Sequence, residues 1–372
     1  MVSTLEAKQT SRAAFSLLRS HVGFQLGSSA SVTDEELIEL LVQSGLDNEF
    51  VNTTAKRRQL DQPTVTEIDP ERPAPLAKAL LYHLRTIELD AVDQQFDRVQ
   101  QELFEQAAVA RLFTTKVDVA IDIHDWLFYG DEDTDYVLTT KRSKGTNLAF
   151  RFATICVVVH GLRFCLDWRV LPANDWRSKR QVVRSLLETV RDQVTISQVF
   201  LDRGFYQAGV IDILNALDVT YLVRAPSHAG PDDRIEDDAV VDPTYEVRQR
   251  YSPYLTAPTT FVAVPADDDE DDVFRFVTNA EVSAETASAY ALAFRRRWGI
   301  ETSYRKLTEF LPKTSSPTFS VRLFYFSVAS TLYNLWVLAN LFIHPSAPFP
   351  ERPPLPTAIF RKVIEIDVFD YG

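Results

Sequence analysis

Asp122, Asp202 and Glu301 are the side chains of this 372-residue chain whose settings best suit them to chemistry. Val117, Val119, Ile121 and Ile123 alternate with Asp118, Ala120 and Asp122, which is strand spacing and puts Asp122 on the face opposite the valines. Asp202 closes the short apolar run Val199-Phe200-Leu201, and Glu301 lies in a stretch of helical periodicity. Two carboxylates at neighbouring strand ends, with a third from a facing helix, suit a pair of Mg²⁺ ions, because hard cations prefer oxygen ligands; Mn²⁺ takes the same donors. Two ions roughly 3.5–4 Å apart stabilise both the attacking and the leaving oxygen of an in-line phosphodiester displacement. That is chemistry on nucleic-acid strands. Asp125 is near enough to Asp122 to compete for the first position, but the strand pattern leads directly into Asp122.

Charge along the chain points to a polyanion. Between Lys141 and Arg184 ten basic residues, Lys179 among them, face only Asp167 and Asp175, a net charge of +8. From Pro231 to Arg275 the balance is −9, within a chain of net charge −13. A local basic field inside an acidic protein suits phosphate contacts, whatever the global charge. Lys141, Arg142 and Lys144, beside Ser143 and Gly145 in a loop between the first two strands, form either a phosphate-contacting loop or a solvated turn. Arg297, Glu301 and Arg305 are spaced four apart and share one helix face. The acid would bind metal and the arginines phosphate, with bidentate geometry that lysine lacks; an exposed ladder of charges is the plainer alternative. Trp298 is either a core anchor or a base-stacking platform. His124 has no partner at metal-ligand spacing and reads as structural.

The elements that must position these groups change type along the chain. Residues 1–112 read as a helical unit, with Thr33 and Glu36 as a capping box and a linker expected from Asn48 to Pro75. Strands follow at Val117–Ile123, Leu148–Val159 and Leu162–Val170, the last two joined by a turn at His160-Gly161, which sets Cys156 opposite Cys165. A helix capped by Asn174 or Asp175, the strand ending at Asp202, a second helix and a strand at Thr220–Arg224 complete 113–224. Three strands, helix, strand, helix, strand is the opening order of a ribonuclease-H-like sheet. The expected class is therefore α/β. Residues 225–280 read as an acidic β-rich insertion before the third acid, 281–344 as the second part of the core, and 345–372 as a proline-rich tail with an alternating run at Val363–Phe369.

Several classes lose support. Two cysteines are too few for a disulfide framework or a cysteine zinc cluster, and P-loop, dinucleotide-binding and hydrolase-elbow motifs are missing. The polar start Met1–Arg12 lacks the apolar stretch of a secretory signal, and the apolar stretch Leu323–Ile343, interrupted by Ser327, Ser330, Thr331, Asn334 and Asn340, reads as a buried helix. A cytoplasmic protein with no membrane partner is expected. Ten lysines against 29 arginines, with 52 acids, suit a salt-rich cytoplasm.

The motifs together resemble a DDE-type insertion-sequence transposase of the insertion-sequence-four type, most like those of salt-loving archaea. The strings are Val119-Ala120-Ile121-Asp122, then Phe200-Leu201-Asp202-Arg203-Gly204, then Phe294-x2-Arg297-Trp298-Gly299-Ile300-Glu301, and the likeness spans roughly Val117 to Asn340. The family pattern has tyrosine where Phe294 stands and lysine where Thr308 stands; Arg305 or Lys306 would supply that charge from an adjacent position. The resemblance implies catalysis and metal binding by Asp122, Asp202 and Glu301, with Arg203, Arg297, Trp298, Arg305 and Lys306 on DNA beside the basic loop. It also implies two Mg²⁺ ions, terminal inverted repeats and target DNA as partners, a homodimer in the DNA complex, and repeat recognition by the helical N-terminal domain. A ribonuclease-H-like nuclease without strand transfer and a catalytically silent DNA-binding protein are the alternatives.

Overall fold

Thr33 begins the first long helix by the reciprocal bonds its sequence promises. Its hydroxyl accepts the Glu36 N–H, and the Glu36 carboxylate accepts the Thr33 N–H, at the start of α1 (Asp34–Asp47). The structure is a computed structural model that describes residues 16–28, 30–62, 69, 71–109, 115–159, 162–230, 239–265, 273–295, 299–343 and 353–369. Asn48 ends α1 in the left-handed conformation, with φ 51°. The expected linker carries a helix, α2 (Val51–Leu60), because Val51, Thr54 and Ala55 bury one narrow face while the other positions stay polar. Helices α3 (Pro75–Thr86) and α4 (Leu89–Val109) follow, with Ala77, Leu80 and Leu84, then Val92, Phe96, Val99 and Leu103, facing inward at helical spacing.

From Val117 the period becomes that of a sheet. The strands are β1 (Val117–Phe128), β2 (Val137–Ser143), β3 (Thr146–Val159) and β4 (Leu162–Val170). Helix α5 (Trp176–Val190) leads to β5 (Ile196–Leu201), and α6 (Ala208–Ala216) leads to β6 (Tyr221–Arg224). β7 (Val240–Asp242), β8 (Glu246–Arg248), β9 (Thr256–Pro258), β10 (Thr260–Pro265) and β11 (Val273–Thr278) complete the set, before α7 (Ala284–Arg295) and α8 (Gly299–Thr308). The sheet runs β2-β3-β1-β5-β6-β11-β10-β7, with β4 on the free half of the long β3. β1, β5 and β6 are parallel and the outer pairings antiparallel. The acidic segment thus does not simply sit on the sheet: among the described residues β7, β10 and β11 extend it beyond β6, while β8 and β9 form a separate ribbon.

Helices pack on both faces of this sheet. Arg169 of β4 reaches Ser185 and Thr189 of α5, on the face that also carries Ala153 and Ile123 by register. α5 and α6 lie close because Gly209 has no Cβ; one there would stand 2.6 Å from the Trp176 ring. On the opposite face Phe294 of α7 meets Phe200 edge-on at 5.9 Å and Phe274 at 5.2 Å between ring centres. Cys156 pairs with Cys165 across β3 and β4, as expected, and both are free thiols. The turn expected at His160-Gly161 lies outside the described residues.

The chain closes with α9 (Phe319–Ile343) and α10 (Thr357–Phe369). Every residue of α9 from Phe319 to Asn340 is buried, which makes the long apolar stretch a core helix. Phe24 and Phe96 stack on and against Phe324, and the Ser320 hydroxyl donates to the Leu84 carbonyl. The expected alternating run at Val363–Phe369 is instead helical, since Phe360 and Ile364, four apart, are both 1% exposed. Two compact units result: Met1–Leu112 with Ser303–Gly372, and Phe113–Thr302. The division falls inside α8, so the 281–344 segment contributes to both.

Candidate active site

Register brings two of the predicted acids together. Ile121 of β1 pairs with Leu201 of β5, and each is followed by an aspartate. Asp122 and Asp202 therefore stand one step past the same rung of a parallel ladder, on strands about 4.8 Å apart. Asp122 is 8% exposed, accepts the Ile123 N–H on Oδ1 at 2.9 Å, and lies opposite Thr154 of β3. By alternation it shares the face of Ala120 and Phe200, the face covered by α7. Asp202 caps a 3₁₀ turn, Arg203–Phe205, and its Oδ1 accepts the Gly204 N–H at 2.9 Å. Glu301 follows α7 by six residues and falls in α8, but its side chain lies outside the described residues, as do Arg297 and Trp298. The proposed Arg297, Glu301, Arg305 ladder is thus described only in its last rung.

Asp125, the competing acid, is already engaged. It lies on the opposite face from Asp122 and accepts from Arg151 Nε at 2.7 Å and from the Thr140 hydroxyl at 2.6 Å. Burial pushes His124 down to about 4, against the raising effect of Asp125, so the imidazole is neutral near pH 7. Among the described residues no group of three His, Cys, Asp or Glu side chains could hold a metal ion. The aspartate pair offers only carboxylate oxygens, a donor set that fits a hard divalent cation.

The basic residues fall in different places. Lys144 (φ 46°) and Gly145 (φ 94°) form the two-residue turn of the β2–β3 hairpin, flanked by the Ser143–Thr146 pair, so Lys141 and Arg142 stand on the exposed end of a strand rather than in a loop. β2 escapes the sequence because its only large apolar residues are Val137 and Leu138. Arg203 is exposed on the turn after Asp202, and Arg305 is exposed on α8. Lys306 is engaged with Glu309 at 2.9 Å. Lys179 of α5 donates to the Gly204 carbonyl at 2.8 Å, a link that spacing does not reveal.

The profile of the transposase DDE domain matches residues 92–335, which include all three acids. The chain belongs to the DDE transposase family. This transposase is also similar in fold to a solved piggyBac transposase, captured as a synaptic complex with hairpin DNA: the TM-score is 0.58 over 99% of this chain and 77% of that one. Identity is 12%, so the likeness is one of fold. No match was found among curated protein sequences. In the transposase, Phe294, where the resemblance to the insertion-sequence-four type expects tyrosine, is 1% exposed and packs on Phe200 and Phe274, so a packing demand accounts for the ring. Thr308, at the lysine position, ends α8 with its hydroxyl on the Arg305 carbonyl.

Proposed function

We propose that this transposase excises and inserts an insertion sequence by Mg²⁺-dependent strand cleavage followed by 3′-hydroxyl strand transfer. The observation that carries the reading is the aspartate pair beyond the Ile121–Leu201 rung, inside the stretch matched by the family profile. Asp122, Asp202 and Glu301 would hold two Mg²⁺ ions, or Mn²⁺ in their place. Bound ions supply Lewis-acid stabilisation of the attacking and leaving oxygens. The chain's part is to fix the carboxylates: the Ile123 N–H holds Asp122, the Gly204 N–H holds Asp202, and the neutral His124 adds no competing charge. In the first step a water oxygen bonds to phosphorus and the strand's 3′ oxygen leaves, taking a proton. In the second, that 3′-hydroxyl attacks a target phosphodiester and the target's own 3′ oxygen leaves. One ester replaces another, so no external energy source is required.

Arg203, Arg297, Trp298, Arg305 and the hairpin tip Lys141, Arg142 and Lys144 are the proposed DNA contacts; Lys306, engaged with Glu309, is the weakest member of the set. The helical unit of residues 1–112 would recognise terminal inverted repeats. A homodimer on paired ends, in the cytoplasm, is the working assembly. The insertion-sequence-four type and a salt-rich cell are supported by the Arg-Trp-Gly-Ile-Glu string at 297–301 and by ten lysines among 39 basic residues. The test is a strand-transfer assay with Mg²⁺ on duplexes carrying the repeats that flank the gene, with Asp202→Ala alongside. Joined products that vanish in the variant are expected. Cut but unjoined products would make the chain a nuclease, and shifted DNA without cutting a binding protein.

A further inference from the structure

Lys179 sits in the first turn of α5, where no acidic residue offsets it and where the helix dipole disfavours a cation. Its neighbours Arg177 and Arg180 have other attachments: Arg177 lies over the Trp176 ring, and Arg180 pairs with Asp212 of α6 at 2.8 Å. Arg151, itself held by Asp125 and Asn174, repels it. Burial above all, then Arg151, pulls the ammonium below the usual lysine range, while Asp202 works the other way. A half-buried lysine kept in so unfavourable a place marks the contact it makes.

That contact is with the turn after the second aspartate. Gly204 is gripped from both ends: its N–H donates to Asp202 Oδ1 at 2.9 Å, and its carbonyl accepts from Lys179 Nζ at 2.8 Å. The turn is tight, since a Cβ on Gly204 would stand 3.1 Å from Asp202 Oδ1. α5 is itself anchored, by the Asp175 cap on Ser178 and by Trp176 against Gly209. Lys179 thus reaches the turn from the layer opposite the face on which Asp122 lies.

We infer that Lys179 is a positioning residue for Asp202, fixing the Asp202–Gly204 turn so that the second carboxylate is presented to a divalent cation beside the first. This rests on the metal-binding reading of Asp202, and the test separates the two. The full chain is titrated calorimetrically with Mn²⁺ alone, without DNA. Lys179→Met weakens Mn²⁺ binding about ten- to a hundredfold, the usual effect of losing a group that orients a ligand. Lys179→Arg, which keeps a donor for the carbonyl, recovers most of it. Gly204→Ala produces a comparable loss with the lysine intact and stands in if the methionine variant fails to fold. Normal Mn²⁺ affinity in a folded Lys179→Met overturns the inference whatever Gly204→Ala does, and where the methionine variant does not fold, normal affinity in Gly204→Ala overturns it. So does a methionine variant that binds Mn²⁺ normally but loses DNA affinity, since the lysine would then be a phosphate ligand. Asp202→Asn in the same titration is the control: if it binds Mn²⁺ like the parent, the metal site itself is wrong.

Discussion

Phe294 stands where the insertion-sequence-four resemblance leads one to expect tyrosine, and its surroundings set what a hydroxyl would do there. The ring is 1% exposed, and two of its neighbours, Phe200 and Phe274, offer no side-chain acceptor. Phe294→Ala removes a fully buried ring and its contacts with Phe200 and Phe274, a loss of about 4 kcal/mol. With a urea slope of about 2.5 kcal/mol/M, the unfolding midpoint of the unit spanning Phe113–Thr302 falls by about 1.6 M. Phe294→Tyr keeps the ring but buries a hydroxyl, at a cost of about 1–3 kcal/mol, so the midpoint falls by about 0.4–1.2 M. Urea titration followed by tryptophan fluorescence reads this unit through four of the five tryptophans, Trp126, Trp168, Trp176 and Trp298, with Trp336→Phe as the background that silences the other unit. Strand cleavage per folded molecule stays at the parent level in Phe294→Tyr. A tyrosine variant with an unchanged midpoint and faster cleavage would refute the packing account and return the position to the chemistry.

Asp122→Asn and Asp202→Asn each lower cleavage by on the order of a thousandfold while leaving DNA binding in a gel-shift assay intact, as expected for ligands of a two-metal site. Asp125→Asn, in contrast, destabilises by about 1–3 kcal/mol through the half-buried Arg151 it leaves behind, seen in urea titration, and retains cleavage. Neutralising Lys141, Arg142 and Lys144 together reduces the slope of log affinity against log salt by up to about 2.7, if each contacts one phosphate. At Glu309, burial pushes the carboxyl up, but the Thr357 hydroxyl, Lys306 and Arg361 outweigh it and hold the carboxyl below the ordinary range. A carboxyl depressed on folding contributes stability above its unfolded value, near 4.5, that is lost as pH falls through its folded value. Hydrogen-exchange protection in α10, taken relative to the intrinsic amide rate at each pH, therefore falls below about pH 4.5, and Glu309→Gln abolishes that loss of protection.

The core of the sheet was legible because buried parallel strands announce themselves. Val117–Ile123 and Val199–Leu201 are apolar runs that end or break at aspartates, and the parallel crossover follows from the helix between β4 and β5. Exposed or narrow elements were not. β2 is polar because its face meets solvent, α2 buries only three small residues, and α10 alternates by sequence yet buries Phe360 and Ile364 on one helical side. Asp122 and Asp202 could be named from the strand pattern, whereas their adjacency needed the register. Lys179 could not be singled out: its contact is to a backbone carbonyl 25 residues away, which leaves no trace in side-chain spacing.

The helix α9 has a consequence for how the chain is made. The N-terminal helices α1, α3 and α4 pack on it, yet about 190 residues of the other unit are translated before the unit it belongs to resumes at Ser303. At roughly 5–20 residues per second, the newborn N-terminal helices wait on the order of ten to forty seconds with the apolar surface that α9 covers left open. During that interval they are natural clients for a chaperone, and a ribosome stalled before Phe319 would leave a sticky fragment rather than a folded module.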